Sequence, residues 1–160
     1  MIGPITKEVK VRGEFEVCLY DESMRLKAYR KIKNITTNTG VTAVAQQMGA
    51  TSSVPAQFTY CAVGTGSVAP AVTLTTMATD NTHIQGAWTT TGAAASGIVT
   101  WTNITTFGAG TATAAITESG LFDTATTNAQ TMLCYNTFAV INKGASDTLV
   151  ITWQYTISSS

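Results

Sequence analysis

The sequence predicts a mainly β protein: an antiparallel β-sandwich or barrel-like body with one short helix over about 39–48 and an extended N-terminal arm. Three observations carry that expectation. Apolar and polar residues alternate along several runs, which is the period of a half-buried strand. Threonine supplies 31 of the 160 residues, and its branched Cβ packs well on a pleated surface. Breaks at Gly108-Ala109-Gly110, Thr126-Thr127-Asn128 and Lys143-Gly144-Ala145 recur at the spacing at which sandwiches and barrels turn the chain.

Residues 1–12 read as the arm, because Pro4 blocks early regular structure and the charges trace no helical face; residues 13–160 read as a single β-rich domain. Phe15, Val17 and Leu19 face one way, with Glu14, Glu16, Cys18 and Tyr20 opposite. After a turn at Asp21-Glu22-Ser23, a second run points Leu26, Ala28 and Ile32 inward and Arg25, Lys27, Tyr29, Lys31 and Lys33 outward. Arg30 interrupts the inward row, so a bulge or a partner contact is expected there. In the resulting hairpin Glu14 and Glu16 lie across from the Lys31/Lys33 end, where ion pairs of about 0.2–1 kcal/mol each help set register.

The helix is expected to be capped by Asn38 or Thr39, to bury Val41, Val44, Ala45 and Met48, and to stop at Gly49. At this length it must pack on the sheet to be stable. Strands follow at Phe58–Val63, Ile98–Phe107, Thr111–Phe122, Met132–Val140 and Leu149–Ile157, the last with Leu149, Ile151, Trp153, Tyr155 and Ile157 on one face. Trp101 and Trp153 are expected in the core. The segment from Thr73 to Gly97 holds either two strands or an extended excursion ordered by a neighbouring subunit.

A net charge of zero conceals a split. The first 33 residues carry eight basic and five acidic side chains, a net of +3, and the remainder carries only Lys143, Asp80, Glu118, Asp123 and Asp147. No apolar run approaches the ~18–20 residues of a membrane helix, and the N-terminus lacks a signal-peptide pattern, so no membrane association is expected. Cys18, Cys61 and Cys134 are odd in number and widely spaced, which argues against a disulfide framework or a zinc knuckle and suits folding in a reducing cytoplasm. The basic residues alternate with acids and have no aromatic platform beside them, so nucleic-acid binding is not expected.

Candidate chemistry is sparse. Gly64-Thr65-Gly66-Ser67 lacks the Lys-Ser/Thr ending and the following helix of a phosphate loop, and reads as a glycine-rich turn. Asp80 and His83 could form a dyad, but no nucleophile motif accompanies them, and His83 reads as a loop or interface histidine. Glu118 and Asp123 suit turn and strand-end roles. No cofactor, metal or catalytic residues are expected. Trp88, outside the regular strand runs, is the candidate exposed aromatic contact.

Four stretches together resemble a known group. Phe15-Glu16-Val17-Cys18-Leu19-Tyr20-Asp21 and Lys33-Asn34-Ile35-Thr36-Thr37-Asn38-Thr39-Gly40 resemble the opening of small tailed-bacteriophage virion proteins. Ala62-Val63-Gly64-Thr65-Gly66 before Ala69-Pro70 is similar to their strand and turn. Ile116-Thr117-Glu118-Ser119-Gly120-Leu121-Phe122-Asp123 and Thr148-Leu149-Val150-Ile151-Thr152-Trp153 look like their C-terminal strands. The resemblance spans residues 13–157 and implies a non-enzymatic virion part, made in the host cytoplasm: a capsid decoration (cement) protein, or a collar, baseplate or fibre-attachment subunit of the tail. Its partners would be the major capsid protein or tail proteins, and it would form a homo-oligomer, a trimer being favoured. On that reading Lys7, Lys10, Arg12, Arg25, Lys27, Arg30, Lys31 and Lys33 form the docking element. A third reading, from residues alone, is a carbohydrate-binding surface module that uses Trp88.

Overall fold

The computed structural model describes residues 9–49, 54–93, 96–126 and 130–159. Among these residues ten strands form two five-stranded antiparallel sheets packed face to face, an open sandwich rather than a closed barrel. The first sheet runs, edge to edge, β2 (Leu26–Lys33), β1 (Val9–Tyr20), β10 (Thr148–Ser159), β7 (Ile98–Phe107) and β6 (Ala87–Ala93). The second runs β3 (Ile35–Thr36), β9 (Met132–Asn142), β8 (Ala115–Phe122), β4 (Tyr60–Gly64) and β5 (Asp80–Gln85). One helix, α1 (Asn38–Gly49), leans on β9.

Alternation places the core. Phe15 lies opposite Trp153, and Val17 opposite Ile151. These residues are fully buried, as are Cys61, Val63 and Leu121 of the second sheet. The Trp153 and Phe15 rings stack with centroids 4.1 Å apart, a contact worth about 0.5–1.5 kcal/mol beyond the area it buries. Segment 73–97 contributes two strands, β5 and β6, and the chain crosses from one sheet to the other between them at Gly86. A Cβ there would lie 2.3 Å from both Asn103 Oδ1 and Thr105 Oγ1, so only glycine lets the corner pass that close.

Three local expectations are corrected. β1 begins at Val9, so residues 9–12, read as arm, pair with Ser159 through Thr156 of β10; residues 1–8, with Lys7, lie outside the described residues. β8 starts at Ala115 rather than Thr111, because residues 108–111 close a turn, Thr111 N–H to Gly108 C=O, and Ala112 takes a positive φ of 53°. The β1–β2 register shifts at Leu19/Tyr20 and not at Arg30, which stays paired with Val17. One of the expected breaks, 126–128, falls partly outside the described residues.

The helix differs most. Its cap is Thr37: Thr37 Oγ1 accepts the Gly40 N–H at 3.0 Å and donates to the Met132 carbonyl at 2.5 Å. The face turned to the sheet is Gly40 and Ala43, both buried, with Val44 half-buried against the core, while Ala45 is exposed and Val41 is 58% and Met48 85% exposed. A Cβ on Gly40 would sit 2.4 Å from the Leu133 carbonyl oxygen. The helix approaches β9 so closely that only small residues fit between, and that contact outweighs burial of the larger apolar stripe.

Candidate functional site

The basic residues predicted to dock divide into two groups. Arg25 is held by Asp21 at 3.0 Å, Lys27 by Asp147 at 2.7 Å, and Lys31 by Glu14 and Glu16 at 2.8 and 3.2 Å. The hairpin register puts Glu14 across from Lys33 and Glu16 across from Lys31, as the sequence implies. Arg30 is half-buried and donates to the Tyr29 carbonyl. These four therefore serve the fold at least in part. Lys10, Arg12 and Lys33 are exposed, lie on the outer face of the first sheet at one end of β1 and β2, and have no carboxylate within 4 Å among the described residues.

Trp88 lies elsewhere. β10 and β7, of 12 and 10 residues, lie toward the middle of the first sheet and are longer than β8 and β4, of 8 and 5, in the middle of the second, so one end of the first sheet overhangs the second. The inner face of that overhang carries Val11, Trp101, Tyr155 and Ile157, which join Val41 and Val44 of α1, Phe58 and Leu133 to line a cleft of about 570 Å³. Trp88 and Thr90 of β6 complete the wall. Trp101, expected in the core, is 38% exposed here: it does share a face with Asn103, Thr105 and Phe107, but among the described residues no second-sheet strand covers that end. The cleft's polar groups are largely engaged. Trp88 Nε1 donates to the Phe58 carbonyl at 2.7 Å, Gln47 Nε2 donates to Ala56 at 2.7 Å, and Asn34 Nδ2 donates to the Tyr155 hydroxyl. Burial and the nearby Cys134 thiol push the Tyr155 phenol well above its ordinary pKa. Such a cleft suits apolar surface more than a charged ligand.

The buried polar groups act as ties between loops. Glu118, fully buried on β8, accepts the N–H groups of Gly66 at 2.8 Å, Ala78 at 3.1 Å and Thr79 at 2.8 Å, and the Tyr135 hydroxyl at 2.6 Å. The glycine-rich loop thus turns its amide toward the protein's own carboxylate. Burial and the Glu118 charge raise the Tyr135 phenol's pKa. Lys143, also buried, donates to the Gly108 and Asp147 carbonyls at 2.9 and 2.7 Å, and burial lowers its pKa. Asp123 accepts the Thr131 N–H at 2.7 Å, a strand-end role.

His83 lies in β5 rather than in a loop, paired with Ala62, and its ring packs on Phe122 at 5.0 Å. Its Nε2 is 2.5 Å from Asp80 Oδ2, so the dyad forms, but Nδ1 has no hydrogen-bond partner among the described residues. Burial works against the Asp80 charge, yet hydrogen bonds from His83 and Gln130 hold its pKa below the ordinary value. The three thiols are free, and burial pushes Cys61 to about 11 and Cys134 to about 12, leaving both as poor nucleophiles near neutral pH. Among the described residues no three His, Cys, Asp or Glu side chains cluster to hold a metal, and no helix is long and apolar enough to cross a membrane.

Compared with protein-family models, curated proteins and solved structures, the chain has no match. The cleft and the Glu118 tie were not evident in the sequence. Each joins residues distant in the chain, and their only local signals were apolar residues at the ends of alternating runs and a lone acid within a strand.

Proposed function

We propose that this chain is a structural protein of a tailed-phage virion, a capsid decoration protein that docks through the charged end of the β1–β2 hairpin. The observation that carries this reading is the separation of surfaces: Lys10, Arg12 and Lys33 stand unpaired among the described residues at one end of the first sheet, while the outer face of β7, β10 and β6 carries no charged residue, only threonines with some apolar and polar neutral residues, the exposed Ile98 and Ile104 among them. The sequence resemblance over residues 13–157 supplies the virion context, and the use of Glu118, Lys143 and Asp147 as internal ties supports a non-enzymatic role. Bound across capsomer boundaries, such a protein adds buried area that resists the internal pressure of packaged DNA, and complementary charge steers it to its site.

Deleting residues 1–12 would cut into β1, so charge reversal is the cleaner test. A Lys10→Glu/Arg12→Glu/Lys33→Glu variant, with circular dichroism matching wild type, is expected to co-sediment with expanded empty capsids about tenfold more weakly, a loss of about 1.4 kcal/mol. Undiminished binding overturns the docking assignment. Antibody labelling of virions that marks the tail instead of the head selects the tail-component reading. The carbohydrate reading has one observation in its favour, that Trp88 and Trp101 line one cleft, and a glycan array showing no binding disposes of it.

A further inference from the structure

Among the described residues the sandwich has four edge strands, and they are not alike. β2 carries Lys27, Arg30, Lys31 and Lys33; β3 is two residues long; β5 carries Asp80 and His83. Charge and shortness are the usual defences of an unpaired edge against joining another sheet. β6, Ala-Trp-Thr-Thr-Thr-Gly-Ala over residues 87–93, has neither charge nor proline, and Thr89, Thr90, Thr91 and Gly92 are exposed. It also borders the open cleft, whose wall Trp88 and Thr90 complete.

We propose that β6 is a self-association edge, at which two copies of this chain pair β6 to β6 antiparallel about Thr90 and join their first sheets into one ten-stranded sheet. The strand is self-complementary in this register. Thr90 meets Thr90, Thr89 meets Thr91, and Trp88, the bulkiest residue of the strand, meets Gly92 of the second copy. No like charges oppose each other, because the strand has none, and cross-strand threonine pairs are favourable. The outer face already holds half of the ladder this would complete: Thr91 is in register with Thr100, and Thr100 with Thr156, the last two hydroxyls being 3.1 Å apart. Beyond the seam it would continue through Thr89 to Thr102 of the second copy. On the inner face Thr90 is in register with Trp101, so pairing sets the two open clefts side by side across the seam. A two-fold axis perpendicular to the sheet keeps inner face with inner face, as this requires.

This pairing does not rest on the virion reading, and its test needs only the full-length chain. In sedimentation velocity over a wide concentration range, wild type is expected as a dimer. Thr90→Lys, which sets two ammonium groups across the axis from a position already exposed, is expected to weaken the dimer at least tenfold, a loss of about 1.4 kcal/mol, with unchanged circular dichroism. Thr90→Cys is expected to yield a disulfide-linked dimer under mild oxidation. A monomer or a three-fold species in wild type, an oligomer indifferent to Thr90→Lys, or no linked dimer from Thr90→Cys overturns the assignment.

Discussion

Replacing Glu118 by Gln tests whether one buried carboxylate holds the loop over residues 65–79 against the second sheet. In wild type Oε1 accepts the Gly66 and Thr79 amides, and Oε2 accepts the Ala78 amide and the Tyr135 hydroxyl. The amide NH₂ of Gln must replace one of these oxygens. It is best placed at Oε2, since the Tyr135 hydroxyl can turn to donate to the Val68 carbonyl, 3.3 Å away, and accept from the amide. The Ala78 N–H then faces another donor. Leaving one buried donor unmade costs about 1–3 kcal/mol, and removing the charge from the two bonds that remain costs about 1 kcal/mol more. The expected loss is about 2–4 kcal/mol, with the lid of the small second core (Met77 and Leu74 over Ala62, Phe122 and Met132) loosened first. Urea unfolding followed by tryptophan fluorescence measures the total. Amide hydrogen exchange measures its distribution, with Ala78 expected to lose more protection than Gly66 or Thr79. A loss below about 0.5 kcal/mol, within the range of ordinary surface changes, or equal exchange at all three amides, would refute the reasoning.

Gly40→Ala, normally stabilising inside a helix by about 1 kcal/mol, is expected to destabilise here, because its Cβ would meet the Leu133 backbone at 2.4 Å; a lowered Tm checks this. Trp153→Ala is expected to cost about 3–5 kcal/mol, whereas Trp101→Ala at the cleft mouth, where the residue is 38% exposed, should cost about 1–2 kcal/mol; urea midpoints separate the two. The hydrogen bonds from Lys27 and the Gly144 amide hold the Asp147 carboxyl below the usual range. Its stabilising contribution is therefore fully present above the unfolded value near pH ~4 and lost as pH falls through the lower folded value. Asp147→Asn should accordingly be less stable than wild type at pH 7, with a difference that shrinks on acidification in pH-dependent thermal melts.

What the sequence settled by itself is what depends on neighbours in the chain. The period-two runs located β1, β2, β7 and β10 and which of their faces turn inward, and with them the Phe15–Trp153 core and the Glu14/Glu16–Lys31 pairing. The helix was legible from its boundaries but not its orientation. Its large apolar residues suggested one buried face, while the closeness of β9 selected Gly40 and Ala43, a choice made by a backbone nearly a hundred residues later in the chain. Glu118 looked like a stray acid because its four donors come from three other segments. Trp101 has the right parity for the core and is nonetheless partly exposed, because burial requires a second sheet long enough to cover it, and the relative lengths of two facing sheets appear only once both have formed. Local alternation assigns a residue to a face; only tertiary packing decides what lies opposite that face, and here it leaves a cleft and an uncharged edge side by side.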